Sequence, residues 1–400
     1  MLGLPSIPAF CLRPRDLRRG AVLTLVFLAS VATAAGTGCW DRGEAAAASA
    51  SAYGARTDDA PPEASRPAGT ADREAVARAA AEAVAEGKSG KKAAQEVVSR
   101  SGDRWGTVYD QGEYAAFAED LDGSWTGVGV WAGRGPDGRI EVDKVQPGSP
   151  AARAGLRAGD RLLSIDGQTV TGLAVADVIA LLRGRAGTPV VLNLSRDGAD
   201  LTETVRREQL RTEPVTVRRL PGGITVIKVA SFTRGSGERV KAAVRAAPPG
   251  AGVMLDLRGN PGGLVTEAVA AASAFLDGGL VATYDVRGSQ RALYAAPGGD
   301  TARPLVALVD GGTMSAAELV TGALQDRGRA VAVGTRTFGK GSVQMPTELP
   351  DGSVAELTVG TYRTPAGRSL DGGGITPDLA AGEGVEERAA QVLGGLGVGP

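Results

Sequence analysis

Between residues 223 and 335 the chain alternates short, unbroken apolar runs with segments of helical period. GITVIKVASF (223–232), GVMLDL (252–257), PLVALVD (304–310) and AVAVGT (330–335) read as strands. ERVKAAVRAA (238–247), LVTEAVAAASAFLDGG (264–279) and SAAELVTGALQD (315–326) read as the helices between them. A strand that is apolar on both faces must be covered on both, and a helix linking two parallel strands supplies that cover. The pattern predicts an α/β core with a largely parallel sheet. SVQMPTELP (342–350) and SVAELTVGTYRTPAG (353–367) continue it as strands, and no internal repeat interrupts it.

The chain has 400 residues, enough for more than this core. From Trp125 the texture changes to short Val/Ile/Leu runs punctuated by Gly-Asp and Asp-Gly pairs, with one helix at about 174–184, which reads as a separate sheet-plus-helix module at 125–205. Ahead of it an Ala/Val stripe with exposed charges predicts a helical run over about 72–100, within an N-terminal segment at 76–124. Ser89-Gly-Lys-Lys92 in that run has the S-x-x-K spacing of penicillin-recognising enzymes without their companion motifs. Residues 37–75 read as a disordered linker. Residues 206–385 hold the core and 386–400 a C-terminal tail.

Residues 1–36 have the three parts of an export signal: Arg13, Arg15, Arg18 and Arg19, the apolar stretch AVLTLVFLASVATAA (21–35), and Ala32-Thr33-Ala34 as a small-x-small cleavage point. The expectation is an exported protein of the cell envelope, secreted after cleavage or retained by a membrane anchor; Gly38-Cys39 raises lipid attachment as an alternative. Cys11 and Cys39 are the only cysteines and histidine is absent, so a zinc site is hard to build in the body of the chain. Lys and Arg total 44 against 45 Asp and Glu, and no basic block follows residue 40, which leaves no footprint for nucleic acid.

Three loops of the core gather chemistry-bearing groups. Arg258-Gly-Asn-Pro-Gly-Gly263 joins a strand to a helix, and its N–H groups together with the helix N-terminus suit a developing anion; a tight turn that needs glycines is the plain alternative. Gly312-Thr-Met-Ser315-Ala-Ala-Glu318 opens a helix with Ser-x-x-Glu, the pattern of a capping box in which Ser315 ends the helix and Glu318 returns the bond. A serine fixed there is also placed as a nucleophile, with the Ala316 N–H where an acyl oxyanion would form. Thr337-Phe-Gly-Lys340-Gly-Ser-Val-Gln344 follows, with Lys340 25 residues (340 − 315) after Ser315. If this stretch is extended, period two sets Lys340, Ser342 and Gln344 on one face. A solvated lysine beside a turn is the other reading of Lys340. With no histidine, Ser-Lys is the arrangement left for nucleophilic hydrolysis. Such a base must be neutral, about three units below its free value and worth roughly 4 kcal/mol, which predicts a site closed from water by Phe338 and the surrounding sheet.

LDLRGNPGG, GGTMSAAELVTGALQD, GTRTFGKGSVQ and TYRTPAGRSLDGGGITPD resemble, in order and spacing, the C-terminal processing (tail-specific) peptidases, over about Trp105 to Asp378. SPAARAGLRAGDRLLSIDGQTV resembles the middle of a PDZ domain. The resemblance implies an α/β fold (α+β overall), with a ClpP/crotonase-like protease core, an inserted PDZ domain and an N-terminal helical segment. It implies Ser315 as nucleophile, Lys340 as general base, Gln344 orienting the lysine, and oxyanion donors from Ala316 and the Gly262/Gly263 pair. Gly127, Val128, Gly129 and Val130 lie where a PDZ domain has its carboxylate-binding loop, beside an edge to which an extended peptide can add; an edge strand with glycines for a tight bend is the plain alternative. Arg183, ending the helix beside the presumed groove, reads as a solvated helix-end cation, with coupling of that module to the protease as the other reading. The chain departs from the usual Gly-Ser-Ala-Ser-Ala-Ser-Glu at Thr313, Met314 and Ala317, and Met314 is expected to reshape the pocket. The implied activity is an extracytoplasmic serine endopeptidase that needs no cofactor or metal and cleaves proteins with apolar C-termini near or from that end. A PDZ-bearing scaffold on an inactive core is the alternative, and the oligomeric state stays open.

Overall fold

The computed structural model describes residues 69–135, 137–286 and 289–397. The expected export segment and nearly all of the linker lie outside the described residues.

The expected N-terminal helical run is two helices, α1 (Arg73–Ala85) and α2 (Gly90–Ser101). α1 begins inside the stretch assigned to the linker, because Asp72 caps it by accepting from the Glu74 N–H. Ser89 caps α2, accepting from the Lys92 N–H at 3.2 Å, so Ser89 and Lys92 of the S-x-x-K pattern form a helix start. Val76 and Ala80 of α1 and Ala94 and Val98 of α2 bury against Leu349, Ala355 and Leu357 of the core. The short strand β1 (Thr107–Tyr109) and helix α3 (Gln111–Leu121), the latter opened by an Asp110/Glu113 capping box, complete this segment.

The second module contains β2 (Ser124–Gly127), β3 (Val130–Arg134), β4 (Ile140–Val145), α4 (Pro150–Arg153), β5 (Arg161–Ile165), β6 (Gln168–Thr169), α5 (Val175–Leu182), β7 (Pro189–Arg196), β8 (Ala199–Arg206) and β9 (Glu208–Arg211). β2 pairs antiparallel with β9, a ladder that brackets the module and carries it past residue 205 to Arg211. Inside, the strand order is β3-β4-β5-β7-β8, so β3 is an open edge. Val178 and Leu182 of α5 close a core with Val130, Val142, Ile165, Leu192 and Leu194.

The core starts with β10 (Val215–Arg219) and β11 (Thr225–Val229), continues through α6 (Ser236–Ala246), β12 (Val253–Asp256) and α7 (Val265–Ala272), and adds a hairpin, β13 (Leu280–Val286) and β14 (Ser289–Tyr294). β15 (Leu305–Val309), α8 (Ala316–Asp326), β16 (Val331–Gly334), β17 (Ser342–Glu348), β18 (Val354–Arg363), β19 (Leu379–Ala380) and α9 (Val385–Gly395) follow. One sheet runs β10-β11-β12-β15-β16-β19, parallel except for β10. β17 and β18 leave it and join β1, β13 and β14 in a second, antiparallel sheet. Alternate residues of the parallel sheet face opposite ways. Ile227, Val253 and Leu255 meet α6, α7 and α8, whereas Val226, Met254, Val306 and Val333 meet α9. The stretch 386–400 set apart as a tail is therefore, as far as Gly395, part of the core. Val385, Ala389 and Leu393, spaced at i, i+4 and i+8, give α9 one apolar stripe, which covers a face the other helices leave open.

Candidate active site

Ser315 sits between β15 and α8 with φ 57° and ψ −116°, one of three described non-glycine residues at positive φ. Such a conformation is strained by about 1–3 kcal/mol and persists only where its surroundings fix it. Here the Met314 N–H donates to the Asn260 carbonyl at 2.8 Å, the Ser315 N–H donates to Glu318 Oε2 at 2.9 Å, and Gly262 packs against the turn so closely that a Cβ there would lie 3.0 Å from Ser315 Cβ. The expected capping box is half formed. Glu318 returns its bond, but Ser315 Oγ is buried without any hydrogen-bond partner.

Glu318 does more than cap. Fully buried, it accepts from the Ser315 and Lys340 N–H groups through Oε2, each at 2.9 Å, and from Thr337 Oγ1 (2.5 Å) and the Gly339 N–H (2.7 Å) through Oε1. The backbone nitrogens of Ser315 and Lys340 share one oxygen and so cannot lie more than twice that distance apart. Burial pushes the Glu318 carboxyl above its usual range, against the pull of the Thr337 hydroxyl and the three backbone donors.

Lys340 is 1% exposed, its Nζ 4.8 Å from the Trp105 ring centroid. Burial lowers its pKa to about 8, opposed by the charges of Glu356, Asp103 and Glu318. The cover over it comes chiefly from the N-terminal segment: Trp105 packs on Phe338, ring centroids 5.8 Å apart, and carries Arg104 on its own ring. Asp103 pins this cover by accepting from the Trp105 and Gly106 N–H groups and from the Thr358 N–H and Oγ1. The sequence named Phe338 and the surrounding sheet as the cover; Phe338 shares it with Trp105, which the sequence did not point to. Gln344 donates to Ser342 Oγ (2.7 Å) and Thr358 Oγ1 (3.2 Å), and its Oε1 is buried and unpaired; no hydrogen bond joins it to Lys340. β17 begins only at Ser342, so Lys340 lies outside the strand whose period of two was expected to set it beside Ser342 and Gln344.

Of the expected oxyanion donors, Gly262 drops out, because its N–H donates to Asn260 Oδ1 at 2.8 Å. The N–H groups of Gly263 and Ala316 have no acceptor among the described residues. The loop is anchored from below by Arg258, which binds Asp256 through two hydrogen bonds (2.8 and 2.7 Å) and Glu386 of α9 through a third (2.7 Å). Burial would raise the Asp256 carboxyl, but Arg258 and Lys228 hold it below its usual range.

In the second module Gly127 closes β2, Val130 opens β3, and Gly129 turns between them at φ 89°, where a Cβ would strike Ser149. The Val128 and Gly129 N–H groups have no acceptor among the described residues, as a carboxylate-binding turn beside the open β3 edge requires. Arg183, at the end of α5, pairs with Asp120 of α3 at 3.0 Å and lies 5.7 Å from the Trp125 ring centroid, so it ties the module to the segment that also carries Trp105.

A solved structure, the photosystem II D1 C-terminal processing protease, is 31% identical to this chain and matches with a TM-score of 0.50 over 76% of this chain and 86% of that one. The model of peptidase family S41 matches residues 223–381, and a PDZ domain model matches residues 141–196. The chain belongs to peptidase family S41. Family relatives include the carboxy-terminal processing protease CtpA of Bacillus subtilis, 34% identical over 70% of this chain and 61% of the relative. The chloroplastic C-terminal processing peptidase of Tetradesmus obliquus is 38% identical over 66% and 62%. The chain thus spans somewhat less than two thirds of the length of these curated relatives. The family match spans Ser315, Lys340, Glu318 and the Arg258–Gly263 loop, and the PDZ match stops short of the β2–β9 ladder.

Proposed function

We propose that the chain is a serine endopeptidase of the cell envelope, which cleaves proteins near or from an apolar C-terminus captured by its PDZ module. Ser315 Oγ attacks the scissile carbonyl carbon and its proton passes to the neutral Lys340 Nζ. The oxyanion is received by the N–H groups of Ala316 and Gly263. Collapse returns that proton to the leaving amine and leaves an acyl-enzyme; a water molecule that gives a proton to Nζ then attacks the ester, and Nζ passes that proton to the departing Ser315 Oγ. The observation that carries the reading is the shared clamp of Glu318. It fixes a strained, unpaired serine beside a buried lysine whose titration burial has brought down to about 8. Arg183, through Asp120, would let the state of the PDZ module reach the lid over the lysine. Export rests on the charged and apolar N-terminus.

The test uses an unstructured protein with an apolar tail. Ser315→Ala and Lys340→Ala should each abolish cleavage while binding of the isolated tail peptide persists. A parent protein inert on every unstructured substrate, yet binding the peptide, would make it a scaffold instead. Fractionation of cells with an antibody to the chain tests export; a cytoplasmic pool alone would refute it.

A further inference from the structure

The buried face around Lys340 holds a second ionisable group for which this reaction has no use. Glu356 stands within β18, opposite Thr107 of β1 on one side and Pro346 of β17 on the other, and is fully buried. Neither of its carboxyl oxygens has a hydrogen-bond partner. A carboxylate cut off from both water and donors is strongly disfavoured, and an apolar side chain would fill the same strand position without that penalty. Thr107, its partner in β1, follows Trp105 by two residues, and the Trp105 ring is 4.8 Å from Lys340 Nζ, so Glu356 and the amine lie under one cover. The charge of Glu356 acts on Lys340 and on the Tyr114 hydroxyl of α3, and Lys340 also feels Asp103 and Glu318. Asp103 and Glu318 are each held by several donors. Glu356 has none, so its charge answers to that of the lysine.

Resting on the reading of Lys340 as general base, we propose that Glu356 is a positioning residue that sets when the base is available. Protonated, it faces the amine as a neutral group and lets it stay neutral; ionised, it holds a proton on Nζ. In a dry site a neutral acid beside a neutral amine avoids the desolvation of two ions, and the pair titrates as a unit. Burial raises the Glu356 carboxyl to about 8, against the lysine's charge, which is where burial also brings Lys340.

Glu356→Gln and the apolar Glu356→Leu test this in the full chain. Either variant removes the anion that favours the charged lysine, so the acid limb of kcat/KM against pH should move down by about one unit. A rate lowered equally at every pH, with the limb in place, would overturn the proposal. A second arm does not depend on activity. In the Ser315→Ala background, Glu356 binds its proton more tightly folded than unfolded, so resistance to urea should fall as pH rises from about 5 to 8. Glu356→Gln should flatten that slope. Lys340→Met, which removes the opposing cation, should extend it to higher pH. A slope that neither change alters would also overturn the proposal. If Ser315→Ala and Lys340→Ala cleave as well as the parent, the peptidase reading fails by itself, and the urea slopes still report on Glu356.

Discussion

At the scale of the residue, the site favours function over stability at one position. Ser315 holds a positive φ without glycine's freedom, and its buried hydroxyl is unpaired. Its loss should therefore not weaken the fold as loss of a helix cap would. Ser315→Ala is expected to unfold in urea at the parent's midpoint or above it. Ser315→Gly, which adopts φ 57° and ψ −116° without a Cβ clash, should be more stable by roughly 1–2 kcal/mol while equally inactive. Glu318 is the opposite case. Glu318→Gln presents an amide NH2 to donors that need an acceptor, and should cost about 2–4 kcal/mol in urea denaturation besides lowering kcat. Both residues are visible in the sequence as Ser-x-x-Glu, but helix capping is a local pattern. The positive φ at Ser315, and the reach of Glu318 to residues 337–340, depend on chain elements far apart in sequence.

At the scale of the element, alternation of apolar runs and helical periods carried the reading of β11 through β16, because a strand buried on both faces has a distinctive composition. The β13–β14 hairpin had no such signal: Ser289–Tyr294 is almost wholly exposed and borders the second sheet. Trp105 was likewise illegible as a site residue. It lies more than 200 residues before Lys340, and β1 pairing with β18 sets the register that brings Asp103, and with it Trp105, over the lysine. Trp105→Ala tests what that cover does. The ring attracts the ammonium by about 0.5–2 kcal/mol, whereas the fall of the Lys340 pKa from 10.5 to about 8 corresponds to about 3 kcal/mol, so exclusion of water wins. Water admitted by Trp105→Ala should raise the lysine's pKa, moving the acid limb of kcat/KM to higher pH. The sign can be checked on stability. A lysine titrating lower when folded than unfolded makes the parent more stable as pH rises from about 8 to 10.5, and that rise should shrink in the variant.

At the scale of the whole molecule, the turn that carries Ser315 is held by parts from both ends of the described chain. The N-terminal segment covers Lys340, and α9 supports the loop of Gly262 and Gly263 from the opposite face of the parallel sheet, through Glu386 on Arg258 and Arg218. The reading of residues 386–400 as a tail failed because glycines crowd both ends of α9 and only three apolar positions mark its stripe, too few to stand out without the sheet they cover. Truncation after Gly384 and the point variant Glu386→Ala separate the two contributions of α9. Truncation uncovers Val226, Met254, Val306 and Val333 and removes Val385, Ala389 and Leu393, so it should cost on the order of 4 kcal/mol or more and lower the urea midpoint sharply. Glu386→Ala keeps the apolar cover and removes only half-exposed ion pairs, each worth about 1 kcal/mol or less. Its stability should stay near the parent's. Arg258 would still bind Asp256 but lose its third anchor, so the oxyanion loop loosens and kcat should fall several-fold with KM little changed. If both variants lost stability equally and kcat stayed intact in Glu386→Ala, α9 would serve as cover for the sheet and have no part in holding the oxyanion loop.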